Sequence, residues 1–570
     1  MRGMNTHAVI AAAALAGLAF AGAAAGDDVS ALSCRTPRGV TFRITADGLS
    51  FVEFGGRPVA EGSWSVFNAE GWFKDAGTGK VDTKKLLRKT IAVLGPGRAR
   101  VVHDRGDVRC ITDYRIEGED VLISARVENN HPTEPMNVAG FAGLTFHFDR
   151  PPEGLMYVQH ISYFQAHGVG LCHPGHWAKI GGSYATDGRI GVGTSPRATG
   201  LMRTLTLWDY ADWAQGRREA VPRRRLMYFA VGPVPARGAR TFDFCLRVSP
   251  DCGWKHLLDP YRRHFAETFG PVRYRRDGRW IATDYLNHSQ QAVSPSNPYG
   301  FHGQFRRIDT PEGAKAFCDK LVAALSENGG QGAIVWGQGG DDPRGAMYRP
   351  DFDVLPPEVE AQWKTIAARF AEAKLKLGVT TRPRHLAVRK DWRRDEIIDI
   401  NPLDPGHRAM IRRRFESMIA KGCTLFYLDS FGSSFEDVLL MRSLREKMGP
   451  DVLTFAEHQC DAIMPYSGGY SETTFSAGTP GGEGDAGPHY RLWSGLRNWE
   501  IYEYLAPGCQ MASRLYQGEK DIPKGFETPA AFFFGQRITP LLPVSGFARL
   551  AETHAAQQRY LRPDGKWKAE

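Results

Sequence analysis

Hydrophobic and polar positions alternate with a period of two through the first part of the chain, then change to a longer rhythm. Between residues 27 and 250, runs such as Val40-Thr41-Phe42-Arg43-Ile44, Val121 to Val127, Leu144 to Phe148 and Thr241 to Leu246 are broken by Gly, Pro, Asp and Asn. Alternate residues of a strand face opposite sides, so this pattern with repeated turn signals predicts an all-β sandwich. Trp254 to Phe269 has helical spacing and Gly270-Pro271 ends it, which makes 251–278 a connector.

From residue 279 to 570, apolar runs alternate with amphipathic stretches. Strands are predicted at 280–283, 333–336, 377–381, 424–428, 452–456, 462–466, 510–512 and 538–542. Helices are predicted at 311–325, 358–375, 405–420, 435–448, 492–505 and 550–561. Strand and helix in alternation over this length predict one (β/α)8 TIM-type barrel. The fold class is therefore multidomain β plus α/β, a β-sandwich followed by a barrel. The glycine-rich stretch 481–490 has no Lys-Ser/Thr ending and reads as a long βα loop rather than a phosphate loop.

Composition changes this picture only at the start. Arg2, an apolar run from Val9 to Ala21 and Ala23-Ala24-Ala25 before Gly26-Asp27-Asp28 have the layout of a secretory signal peptide over residues 1–25. A secreted or periplasmic protein is expected, with its mature N-terminus near Gly26. No later run of 18 or more apolar residues suggests a membrane span. The net charge of +9 is spread, and the runs Arg223-Arg224-Arg225 and Arg412-Arg413-Arg414 lie in no nucleic-acid module, so no nucleic-acid partner is expected. The nine cysteines leave at least one without an intrachain partner, and Cys245 with Cys252 is the closest pair that could bridge.

The candidate chemistry lies at strand ends. Thr424 to Leu428 runs into Asp429, and Val452 to Ala456 runs into Glu457. The C-terminal ends of barrel strands form the active-site face. Two carboxylates there suit glycoside hydrolysis, in which one attacks or steadies the cationic sugar and the other handles the leaving-group proton. Asp284, Tyr285, Trp336, Arg382 and Tyr427 also fall at predicted strand ends, where hydroxyl contacts and ring stacking would be made. His160, His167, Cys172, His173 and His176 crowd one irregular insertion, but no second cysteine pair completes a structural zinc pattern.

With both carboxylates placed, the barrel resembles those of retaining glycoside hydrolases. Tyr427-Leu428-Asp429-Ser430 resembles the alpha-amylase family, and Phe455-Ala456-Glu457-His458 the endo-alpha-N-acetylgalactosaminidases. The sandwich before the barrel resembles the alpha-galactosidase and alpha-glucosidase relatives. The resemblance implies Asp429 as nucleophile and Glu457 as general acid/base, with an oligo- or polysaccharide or glycoconjugate substrate and no cofactor or metal. Tyr427 departs from the alpha-amylase pattern, which has Arg two residues before its nucleophile. The alpha-galactosidase relatives take their acid from strand six, which would point to Glu472 instead. Two other classes remain: a carbohydrate-binding protein on a barrel without turnover, and a metal-dependent hydrolase using the His160–His176 loop.

Overall fold

The computed structural model describes residues 31–64, 73–75, 88–138, 140–150, 152–154, 181–197, 204–208, 223–229, 233–286, 294–302, 306–340, 352–387, 397–432, 435–457, 460–471, 496–515 and 525–568. The expected signal peptide, the His160–His176 segment and Glu472 lie outside these residues.

The alternating first part forms two large antiparallel sheets face to face, and a third, small sheet of Pro233–Val234, Met136–Val138 and Phe73–Asp75. One has seven strands, in spatial order Ala31–Arg35, Val40–Thr45, Gly48–Phe54, Arg57–Glu61, Gly140–His147, Arg223–Phe229 and Thr204–Trp208. The other has eight, from Glu153–Gly154 through Ser183–Thr186, Ile190–Pro196, Ala239–Pro250, Asp120–Asn129, Val108–Glu117 and Arg98–Asp104 to Arg88–Gly95. Inward-facing Val40, Phe42, Ile44, Val52, Val121, Ile123, Phe146, Phe242 and Phe244 make one buried core between them. This is the sandwich that the period of two predicts.

Helix α1 (Trp254–Phe269) joins the two parts. Its buried Leu257, Leu258, Tyr261 and Phe265 pack with Tyr184 of the sandwich and with Met464, Ile501, Tyr502 and Leu505 of the barrel. The approach is so close that a Cβ at Gly193 would lie 2.0 Å from the Leu257 carbonyl oxygen. Only glycine fits there.

The barrel closes from eight parallel strands: β1 (Ile281–Tyr285), β2 (Gly332–Trp336), β3 (Lys376–Thr381), β4 (Cys423–Leu428), β5 (Leu453–Ala456), β6 (Gly468–Ser471), β7 (Met511–Arg514) and β8 (Ile538–Pro543). Around them stand α2 (Pro311–Glu327), α3 (Pro357–Glu372), α4 (Pro405–Ala420), α5 (Phe435–Arg445), α6 (Leu496–Leu505), α7 (Pro529–Gly535) and α8 (Leu550–Tyr560). Several helices start on a side-chain cap: Thr310 accepts from the Gly313 N–H, Asp404 from the His407 N–H and Thr528 from the Ala531 N–H. Strand residues divide by parity. Ile281, Ile334, Trp336, Leu425, Tyr427, Leu453 and Phe455 fill the barrel, while Ala282, Val335, Phe426, Leu428 and Ala456 pack under the helices.

Three readings of the sequence are corrected. The run 462–466 is not strand six. Asp461–Ile463 is a 3-10 turn, and Pro465, which has no N–H to give a ladder, falls in the turns leading to β6. The strand itself is Gly468–Ser471, whose Gly468 lies where a Cβ would be 3.0 Å from the Gln510 carbonyl oxygen. Second, α7 was not legible, because Ala530 to Phe534 is buried on all sides and shows no periodicity. Third, Cys245 and Cys252 are both free thiols. Among the described residues no helix is long and apolar enough to cross a membrane.

Candidate active site

Parity along each strand decides what faces the barrel mouth. On β4, Leu425 and Tyr427 point inward, so Asp429, two residues further, continues on the same side. On β5, Leu453 and Phe455 point inward and Glu457 follows. The strand ladder carries on past the formal ends. The Asp429 N–H donates to the Thr381 carbonyl at 2.9 Å, and the Glu457 N–H donates to the Leu428 carbonyl at 3.1 Å. Both carboxylates are thereby held at the C-terminal face by backbone bonds to neighbouring strands.

The cavity there has a volume of about 160 Å³. Tyr285, Trp336, Arg382, Tyr427, Asp429 and Glu457 line it together, with Thr283, Tyr470, Arg514 and Leu541. Its aromatic wall is continuous. Tyr285 stacks on Trp336 at 5.0 Å between centroids, Trp336 meets Tyr427 at 5.1 Å, and Tyr470 stands edge-on to Tyr427 at 4.9 Å. These four rings come from β1, β2, β4 and β6. They give an apolar floor on which the C–H face of a sugar ring can rest.

Charge is placed on this floor in a definite order. Arg382 Nε donates to Asp429 Oδ2 at 3.0 Å, with about one sixth of each side chain exposed (17% and 16%). Ser430 Oγ donates to Asp429 Oδ1 at 2.9 Å, and the Ser430 N–H donates to Glu457 Oε2 at 2.6 Å. Across the pocket, the Arg514 guanidinium lies 5.4 Å from the Tyr285 ring centroid, and its Nη1 donates to the Tyr285 hydroxyl at 3.4 Å.

Asp284 departs from the expected position. It has the outward parity of Ala282 and is not among the pocket walls. Arg306 Nε donates to both of its oxygens at 3.0 Å. Burial pushes the Asp284 carboxyl above its ordinary range, against the opposing pull of Arg306. The pair ties β1 to the segment before α2.

Tyr470, Arg514 and Ser430 were not singled out from the sequence. Tyr470 was hidden by the misplaced strand six. Arg514 ends β7 two residues beyond inward-facing Ala512, so correct strand bounds and parity would have found it. Ser430 enters the sequence reading only as the last residue of the Tyr427–Ser430 motif, with no role of its own. Among the described residues no three His, Cys, Asp or Glu side chains gather as a metal ion would require.

No protein-family model matches the chain, and no curated protein matches it. Among solved structures it is similar to a GH36 alpha-galactosidase from Geobacillus stearothermophilus in complex with stachyose, with 8% identity and a TM-score of 0.48, over 93% of this chain and 86% of that one. It is also similar to a GH31 family sulfoquinovosidase from E. rectale in complex with an aza-sugar inhibitor, with 11% identity and a TM-score of 0.48, over 92% and 82% of the two chains. An alpha-galactosidase from Thermus thermophilus in complex with stachyose aligns at 10% identity and a TM-score of 0.41, over 80% and 99%.

Proposed function

We propose that this chain is a glycoside hydrolase that cleaves an O-glycosidic bond by retaining double displacement. The observation that carries the reading is the convergence of Asp429 and Glu457 on Ser430, at adjacent strand ends, in a pocket floored by Tyr285, Trp336, Tyr427 and Tyr470. Two carboxylates beside an aromatic floor are the chemical equipment of glycoside hydrolysis.

In the first step an Asp429 oxygen attacks the anomeric carbon. The bond from that carbon to the leaving oxygen breaks, and Glu457 gives that oxygen its proton. In the second step a water loses a proton to Glu457 and attacks the same carbon, which frees the Asp429 carboxylate. Arg382 steadies the charge on Asp429 when it is ionised. Tyr285, Trp336, Arg382 and Tyr427 would contact the sugar, joined by Tyr470 and Arg514. The substrate is an oligo- or polysaccharide or a glycoconjugate. Export through the signal-like first 25 residues belongs to the same proposal.

One alternative to the acid/base assignment has a structural motive. β6 ends at Ser471, and Glu472 is the next residue in sequence. The test is a screen of aryl glycosides and polysaccharides with the purified protein, followed by early-time NMR of the released sugar. Turnover with first-formed product of unchanged anomeric configuration supports the reading. First-formed product of inverted configuration overturns double displacement, and sugar binding without turnover leaves a carbohydrate-binding protein.

A further inference from the structure

The two carboxylates do not touch Ser430 by chance of proximity, because the backbone there takes a conformation that side-chain-bearing residues avoid. Ser430 has φ +54°, in the left-handed region. Five non-glycine residues share a positive φ among those described, and Ser430 is the one that bonds both Asp429 and Glu457. A left-handed serine is strained relative to glycine or asparagine, and such strain persists only where the surroundings hold it. The Ser430 N–H reaches across to Glu457, the residue after β5, and the hydroxyl lies back over its own neighbour, Asp429.

A backbone N–H can only donate, so Glu457 Oε2 is the acceptor in this contact. Asp429 accepts at both oxygens, from Arg382 Nε at Oδ2 and from Ser430 Oγ at Oδ1. Two donors on opposite oxygens stop the carboxylate from rotating about its bond to Cβ.

We propose that Ser430 is a positioning residue: its left-handed turn and its two donors set Asp429 and Glu457 against one another in the geometry that double displacement needs. The proposal rests on the glycosidase reading of the pair.

The experiment uses Ser430→Ala and Ser430→Gly in the full-length protein. Both remove the hydroxyl and keep the N–H. Alanine keeps the backbone strain and glycine relieves it. The probe is whichever p-nitrophenyl glycoside the wild-type protein hydrolyses fastest. We expect kcat to fall about 10- to 30-fold in both variants, with KM within about twofold of wild type, as for a donor acting on the reacting carboxylate. A donor to the ionised carboxylate resists its protonation. Without that donor, the acid limb of the kcat/KM profile should move toward higher pH. Unfolding of the glycine variant should occur at or above the wild-type temperature, which separates lost activity from lost fold. Wild-type kcat in the glycine variant would overturn the role of the hydroxyl. An unmoved pH profile, or a raised KM with unchanged kcat, would overturn positioning in favour of a structural or substrate-contact role. If the wild-type protein hydrolyses no glycoside, the glycosidase reading fails separately, and crystal structures of wild type and Ser430→Ala then decide. Rotation of the Asp429 carboxylate away from Arg382 in the variant supports positioning, and an unmoved carboxylate overturns it.

Discussion

Arg382 Nε and Asp429 Oδ2 stand 3.0 Å apart at the ends of neighbouring strands β3 and β4, mostly shielded from solvent. The pair is tested by Arg382→Ala and Arg382→Lys. A charge-assisted hydrogen bond of this kind contributes roughly 1.5–3 kcal/mol, so alanine should lower kcat about 10- to 100-fold. Lysine restores a point charge without the guanidinium fork and should recover only part of the loss. Steady-state kinetics on an aryl glycoside checks both variants, and equal activity of alanine and wild type would exclude Arg382 from the machinery.

Asp429→Asn removes the charge proposed to attack while nearly preserving shape. We expect kcat to fall about a thousandfold or more. The unfolding temperature should stay within a few degrees, because the side chain sits on the functional face of the barrel rather than in its core. Kinetics and thermal unfolding on one preparation check this. Gross unfolding would indicate that the bonds to Arg382 and Ser430 hold the fold.

Glu457→Gln should discriminate between leaving groups. Acid/base catalysis contributes about 10²- to 10⁴-fold where the leaving oxygen needs a proton, and little where it is already a good leaving group. The variant should therefore fail on natural glycosides, yet form the Asp429 ester from activated aryl glycosides and accumulate it. Mass spectrometry of the trapped protein reads this directly. The behaviour seen in Glu472→Gln and absent from Glu457→Gln would move the acid/base role to Glu472.

Asp461 predicts a pH dependence of stability. Burial pushes its carboxyl up to about 6, although the Tyr261 hydroxyl and the N–H groups of Gly181 and Ala462 all donate to it. Buried Tyr261, Tyr502 and Cys460 face it, and burial raises each of those groups further, so they stay neutral through this range. The folded state thus holds a proton that the unfolded chain, near 3.9, releases earlier. Folding binds more protons than unfolding between these values, so this stabilisation is full below about pH 4 and lost as pH rises through about 6. Two units correspond to about 3 kcal/mol at most. Asp461→Asn turns an amide N–H₂ toward donors and should be less stable throughout, with a flatter profile between pH 4 and 7 than wild type. Unfolding midpoints across that range check the sign.

Gly193→Ala should loosen the sandwich from α1. The new Cβ would meet the Leu257 backbone at 2.0 Å, and backbone cannot step aside as a flexible side chain can. Overpacking of this kind costs about 1–3 kcal/mol or more, which calorimetry would register as a lowered or split unfolding transition.

The architecture was legible where pattern and burial agree. The period of two in Val40 to Ile44 and Thr241 to Leu246 became inward and outward faces of the sandwich, and the pure apolar runs of β2 and β4 became strands buried on both sides. Asp429 and Glu457 were legible because each directly ends such a run. What escaped depended on three dimensions. Strand six is Gly-Gly-Tyr-Ser, held by close backbone approach rather than by side-chain pattern. Asp284 and Tyr285 are neighbours in sequence, and only the strand's parity sends one to Arg306 and the other to the pocket. Ser430 depends on a backbone angle that an ordinary serine does not announce.

The shared core at α1 has a consequence for engineering and for descent. Tyr184, Tyr261 and Tyr502 belong to three segments far apart in sequence and bury one another, while the Gly181 N–H and the Tyr261 hydroxyl meet on the Asp461 carboxylate four residues after Glu457. The barrel is therefore not a cassette. A chimera that exchanges it, or a truncation that begins at β1, would cut through this core and leave Asp461 without the Gly181 and Tyr261 donors. Recombination that keeps the boundary at 250–280 intact must carry the glycine surface of the sandwich along with the barrel, so the two halves can diverge only together.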